Sequence, residues 1–225
     1  IRSISRSTCF GNFMIDINEH SHGVIDCYGT PIVKLQAKDF DQHQADLIER
    51  CYWLKDKDRT SGYTQRSNRG SFHSSAIREE DWRDFECGNW FVDTVMSNVN
   101  RAIKLMAAPT HKDIKFDESW TIIMRQRSGQ WNVPHDHGDN FLSGALYLKA
   151  NESNENLQNG MAEFMALISN PAISSLYNNA SYQLAKYSPV EGELMIFPSS
   201  MTHMVSPHLS RQDRIMISFN ILGNL

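Results

Sequence analysis

The spacing of apolar positions changes partway along the chain. Within Ala37–Leu54, the residues Phe40, Ala45, Leu47, Ile48, Cys51, Tyr52 and Leu54 recur mostly at intervals of three and four, which predicts a helix. Lys55, Lys57 and Arg59 follow it, where cations suit the negative end of the helix dipole. A second helical stretch covers 77–108, carried by Phe85, Trp90, Phe91, Val95, Val99, Ile103 and Met106. Gly88 weakens its first part, so Asp81–Cys87 reads as a separable turn. Residues 1–35 mix short apolar pieces with Gly and Pro and read as short strands and turns. Residues 55–75 are polar and rich in Gly and Ser, a long loop of the kind that shapes sites.

From Trp120 onward the pattern shortens to that of strands. Trp120–Arg127, Phe141–Leu148, Met161–Ile168, Leu194–Pro198 and Arg214–Leu222 are the predicted strands, with turns at Ser128–Gln130 and Pro189–Glu193. A polar loop covers Asn151–Asn159, and 169–188 reads as a second long loop, a candidate lid. There is no internal repeat. Helices first and strands afterwards argue an α+β fold, its helices packed on a mostly antiparallel sheet or barrel. The expected organisation is a single domain over 1–225, with strands and flanking helices in 1–115 and a β-rich core in 116–225.

Composition narrows the function classes. The 225 residues are 40% hydrophobic and 21% charged, which fits a globular chain and not a disordered one. Net charge is −4 and no basic block occurs, so nucleic acid is not an expected partner. No run of 18 apolar residues exists, so no membrane-spanning helix is expected, and Ile1–Ser5 lacks a secretory apolar region. Cys9, Cys27, Cys51 and Cys87 are irregularly spaced without a CxxC, which reads as free thiols and a cytoplasmic location.

The densest chemistry lies in Trp131-Asn132-Val133-Pro134-His135-Asp136-His137-Gly138-Asp139, just before an apolar run. His203 follows another such run, and Arg214 stands eleven residues beyond it. On an extended chain, residues i and i+2 point to the same side, so two ligands separated by one residue can share a metal. Two overlapping pairs meet that rule, His135/His137 and His137/Asp139, while Asp136 points the other way. His203 completes either set, as three histidines or as the facial triad of two histidines and a carboxylate used by non-haem iron. On residue chemistry alone both sets stay open, with Asp139 as the alternative ligand to His135. Arg214 opens an apolar strand, where an unpaired charge is costly. Its planar fork suits the distal carboxylate of 2-oxoglutarate. Tyr147 and Asn220 are further candidates for holding that cosubstrate, and Trp120 and Arg125 for lining the pocket. His20, His22, His43, His111 and His208 read as ordinary surface histidines, and His73, in the Gly/Ser loop, reads as a surface histidine first and a substrate contact second.

Several stretches together resemble one known family. They are His135-Asp136-His137, Leu142–Leu148 (LSGALYL), Pro189–Ser199 (PVEGELMIFPS), His203, and Arg214–Asn220 (RIMISFN). They are similar to the pattern HxH, LSGxYYL, PxxGxLxxFPS, H, RxSxSFN of the putative 2OG-Fe(II) oxygenase family. Ser67–Ser74 (SNRGSFHS) is similar to that family's SNxGGWxS segment, so the likeness covers roughly residues 60–222. The resemblance implies a double-stranded β-helix core, a cupin-like jelly roll with N-terminal flanking helices. It implies Fe(II), 2-oxoglutarate and O₂ as cofactor and cosubstrates, and hydroxylation of an unidentified small molecule or protein side chain with release of succinate and CO₂. By position, His135, His137 and His203 fall at the metal motif and Arg214 at the cosubstrate arginine. Two departures stand out. Met216 replaces a serine, removing a hydroxyl partner for the cosubstrate carboxylate, and Asp139 stands where the family has a small residue.

Two rivals remain at this level. One is a cupin-like metal enzyme that uses no 2-oxoglutarate. The other is a non-catalytic jelly roll that binds a sugar or peptide. Arg214 separates the first from the leading reading and metal content separates the second.

Overall fold

The structure is a computed structural model and describes residues 23–27, 30–58, 67–106, 113–150, 159–165 and 184–223. The readings of His20, His22 and His111, and of the loops over 59–66, 151–158 and 166–183, lie outside the described residues. The strands are β1 (Gly23–Cys27), β2 (Thr30–Gln36), β3 (Asn68–Arg69), β4 (Phe72–His73), β5 (Ile77–Arg78), β6 (Lys115–Met124) and β7 (Trp131–His135). They continue as β8 (Leu142–Lys149), β9 (Ala162–Met165), β10 (Leu184–Tyr187), β11 (Glu193–Pro198), β12 (His203–Val205) and β13 (Arg214–Leu222). Among the described residues three helices precede β6: α1 (Phe40–Lys57), α2 (Glu79–Arg83) and α3 (Glu86–Leu105).

Among the described residues all strand pairings are antiparallel and form two sheets. The larger runs β1-β2-β11-β8-β13-β6-β4, with β5 also on β6; the smaller runs β10-β9-β12-β7-β3. Period-two alternation sorts the side chains of the larger sheet. On β13, Ile215, Ile217, Phe219 and Ile221 join the cluster formed with α1 and α3 through Phe40, Leu47, Cys51, Phe91, Val95 and Val99. The intervening Met216 belongs to a second cluster between the sheets, with Ile122, Met124, Tyr147, Phe164, Met195 and Phe197. The helices therefore cover the outside of the larger sheet, and the space between the sheets is left for the site, a jelly-roll arrangement.

The predicted second helix is broken, because α2 ends at Arg83 and α3 begins at Glu86. Gly88 lies inside α3, where a Cβ would overlap the Trp82 carbonyl, so the glycine permits close packing of the two helices. At Gly144, a Cβ would meet the Phe219 ring and the Met195 carbonyl, so this glycine lets β8 lie close to its neighbours. Strand β6 starts five residues before the predicted Trp120 and ends at Met124. Glu193 belongs to β11 and is buried against Lys34 at 3.0 Å, not exposed in a turn.

Candidate metal centre

His135 is the last residue of β7, and its direct cross-strand partner is His203, the first residue of β12. His203 therefore lies on a strand and not in a turn. A register shift between His203 and Val205 sets Val205 opposite Asn132, so one extra β7 residue is accommodated near Pro134. His137 lies beyond the strand end, held by its N–H donating to the Ser199 carbonyl at 2.9 Å. Its ring stacks on that of His203 at an interplanar angle of 6°. His135 and His137 thus come together although the chain is extended only as far as His135.

Ligand atoms of His135, His137 and His203 all lie within 4.8 Å of one another. Nδ1 of His135 is 2.7 Å from the Val133 carbonyl, and Nδ1 of His203 is 3.0 Å from that of Met201. A carbonyl can only accept, so each Nδ1 carries the proton and each Nε2 keeps its lone pair. Nε2 of His137 is 3.3 Å from Nε2 of His203. Burial keeps both partners of that carbonyl pattern neutral: it lowers the pKa of His135 and, helped by the other two rings, that of His203 to about 3. Three imidazoles whose ligand atoms converge, two of them with Nε2 lone pairs free, fit a divalent first-row transition metal such as Fe(II). Asp139 is exposed and stands outside the group; Gly138, at φ 63, turns the chain there. Asp136 is exposed at the cavity edge, its Oδ1 accepting the Gly138 N–H at 3.0 Å.

The histidines border a cavity of about 460 Å³ between the sheets, which Arg214, Tyr147, Trp120 and Asn220 also line. Arg214 is fully buried, and its Nε and Nη2 make no hydrogen bond. Nη1 is 3.8 Å from Met124 Sδ, and the guanidinium carbon is 5.3 Å from the Tyr147 ring centroid. Burial pulls the Arg214 guanidinium below its ordinary pKa and pushes the Tyr147 phenol above its own, with the Arg214 charge opposing the latter. A buried cation with two idle donors fits the distal carboxylate of 2-oxoglutarate. Met216 faces Tyr147 across β13 and β8, so the phenol stands beside the hydroxyl-free position. Asn220 Oδ1 accepts from Ser143 Oγ at 2.8 Å.

Some expectations fail on burial. Arg125 is exposed and does not line the cavity. His208 is fully buried, bonded through Nε2 to the Gln212 carbonyl at 2.8 Å. His73 is buried, packs its ring 5.9 Å from that of Trp120, and lines the cavity. Ser67, Glu118 and Asn132 line it too and were not singled out from the sequence. Glu118 was legible in principle, since it alternates with Trp120 and Ile122 on one strand face.

Residues 118–220 match the family described as Putative 2OG-Fe(II) oxygenase. No curated protein matches the chain. Among solved structures, the fold is similar to a Pseudomonas putida prolyl-4-hydroxylase, with TM-score 0.60, 15% identity, and 89% of this chain and 96% of that chain covered. It is similar to a prolyl hydroxylase from Trichoplax adhaerens in complex with a hypoxia inducible factor peptide fragment, with TM-score 0.60, 14% identity and coverage of 85% and 83%. A viral collagen prolyl hydroxylase from Paramecium bursaria Chlorella virus 1, in its 2OG complex, gives TM-score 0.56, 15% identity and coverage of 88% and 98%.

Proposed function

We infer that this chain is an Fe(II)- and 2-oxoglutarate-dependent oxygenase that hydroxylates a substrate admitted between its two sheets. The observation that carries the reading is one cavity holding three convergent imidazoles and a buried guanidinium with idle donors. When bound, iron, 2-oxoglutarate and O₂ supply the oxidising chemistry, with succinate and CO₂ released and one oxygen atom passed to a substrate C–H bond.

We assign His135, His137 and His203 to the metal, with the Val133 and Met201 carbonyls orienting the first and last rings. We assign Arg214 to the distal carboxylate of the cosubstrate, with the Tyr147 phenol as its neighbour and Asn220 nearer the other end of β13. Phe164, Phe197 and Trp120 wall the histidines and exclude bulk water, which strengthens the charge interaction at Arg214. A reducing, cytoplasmic setting suits both Fe(II) and the free thiols of Cys51 and Cys87.

The test is succinate release from 2-oxoglutarate by purified protein with Fe(II) in air. Turnover that requires iron and is lost in Arg214→Ala is the expected result. Turnover unchanged by removal of iron would overturn the reading.

A further inference from the structure

The segment Ser67–Ser74 crosses the seam between the two sheets. Its β3 pairs with β7 in the smaller sheet and its β4 with β6 in the larger one. The crossing brings Ser67 against Asn132, both buried and both lining the cavity. Asn132 Nδ2 donates to Ser67 Oγ at 3.2 Å. Asn132 Oδ1 is then buried without a partner, and that is the one hydrogen bond of the Ser67 hydroxyl among the described residues. If the carboxamide is turned over, Ser67 donates to Oδ1, and an amide N–H and a serine lone pair are left instead. In either orientation the pair offers the cavity one donor and one acceptor side by side.

This pair is held in place. The Ser67 carbonyl accepts the Val133 N–H at 2.9 Å, and Asn68, paired with Asn132 across the strands, clasps Ser71 through both ends of its carboxamide. A donor–acceptor pair fixed in a buried wall awaits a group of the complementary kind.

2-Oxoglutarate does not fill that role. Its carboxylates and ketone are acceptors only, so it would leave the acceptor half of the pair unmet. A primary carboxamide, with one N–H on the same side as its C=O, meets both halves, and so do the N–H and C=O of a single residue in an extended peptide, which point the same way. We propose that Ser67 and Asn132 form an amide-recognition site that holds the N–H and C=O of one extended peptide residue, or a carboxamide, of the substrate inside the cavity. The proposal rests on the oxygenase reading and adds to it the substrate class, an amide-bearing molecule.

The test uses wild-type protein loaded with Fe(II) and 2-oxoglutarate without oxygen, where the charge-transfer absorption of the iron–cosubstrate pair reports cosubstrate binding. Three probes are added: a randomised pool of acetylated, amidated hexapeptides; the ester-linked counterpart of that pool, which lacks backbone N–H; and free L-glutamine. The expected result is that hexapeptides perturb the band and, on admission of air, raise succinate release at least tenfold above the ester pool. Asn132→Ala and Ser67→Ala each then reduce the peptide response at least tenfold, while the 2-oxoglutarate dissociation constant stays within twofold. A response to glutamine in place of the pool supports the site and identifies a small carboxamide as the source. Equal responses to the amide and ester pools without a glutamine response, no response to any amide probe, or an undiminished response in both variants would overturn it. A tenfold loss of cosubstrate affinity in Asn132→Ala would also overturn it, assigning the residue to 2-oxoglutarate. Absence of the band in wild-type protein would show that the oxygenase reading itself fails, and the proposal with it.

Discussion

Arg214 and Tyr147 sit on adjacent strands, β13 and β8, with the guanidinium carbon 5.3 Å from the phenol ring centroid and both side chains buried. The ring partly compensates the cation but leaves Nε and Nη2 without hydrogen bonds. Stability and binding are therefore expected to part company at Arg214. Arg214→Met removes an unpaired buried charge, so the protein without cosubstrate should melt no lower than wild type. The same change removes charge-assisted hydrogen bonds of about 1.5–3 kcal/mol each from the bound state, so 2-oxoglutarate affinity should fall about 100-fold or more. Calorimetric titration alongside thermal melting checks both halves. Unchanged cosubstrate affinity would remove Arg214 from the site.

Metal analysis distinguishes the two ligand sets. His135→Ala and His203→Ala should each lose most bound iron, whereas Asp139→Ala should retain it, because Asp139 is exposed and outside the convergent group. Iron loss in Asp139→Ala with retention in His135→Ala would reverse the assignment.

The metal-free protein should be acid-sensitive. His203 has a pKa of about 3 when folded, held there by burial and by the other two rings, against about 6.5 when unfolded. Between those values the unfolded chain binds a proton that the folded chain does not. Stability therefore falls as pH drops from about 7 toward 3, with His135 acting in the same direction. Melting of the metal-free protein across that range should show a decline of several degrees, reduced in His203→Gln. An equal decline in that variant would locate the sensitivity elsewhere.

Lys34 and Glu193 meet at 3.0 Å, and both are almost completely buried. Burial raises the Glu193 pKa, and the Lys34 charge acts against that rise. Removing one partner leaves the other charge buried alone, so Lys34→Met should cost about 3–5 kcal/mol. The double variant Lys34→Met/Glu193→Leu should recover most of that loss. Urea denaturation of the two variants measures the difference, and a double variant no more stable than Lys34→Met would mean that the pair is not coupled.

Much of the core could be read from alternation alone. Arg214-Ile215-Met216-Ile217-Ser218-Phe219-Asn220-Ile221 changes polarity with period two, and the structure sends the odd-numbered positions to the helices and the even-numbered ones to the cavity. A strand covered on one face and lining a site on the other must carry that pattern. The three histidines and Arg214 were likewise legible, because residue types able to bind metal or carboxylate stand out beside apolar runs. His73 and His208 were misread as surface residues, since nothing within a few positions of either announces the strands and loops that close over them.

The sequence by itself determined the kinds of element, their order and the chemistry available, because strand periodicity and side-chain type are local properties. Only the tertiary structure decided which groups meet. The facing of β7 and β12 sets His135 against His203, the turn at Gly138 is followed by an Asp139 that lies on the surface, and the seam crossing of Ser67–Ser74 brings Ser67 to Asn132. Each of these relationships joins residues through strand pairing or chain reversal, and the partners of a strand are set by the packing of the whole sandwich.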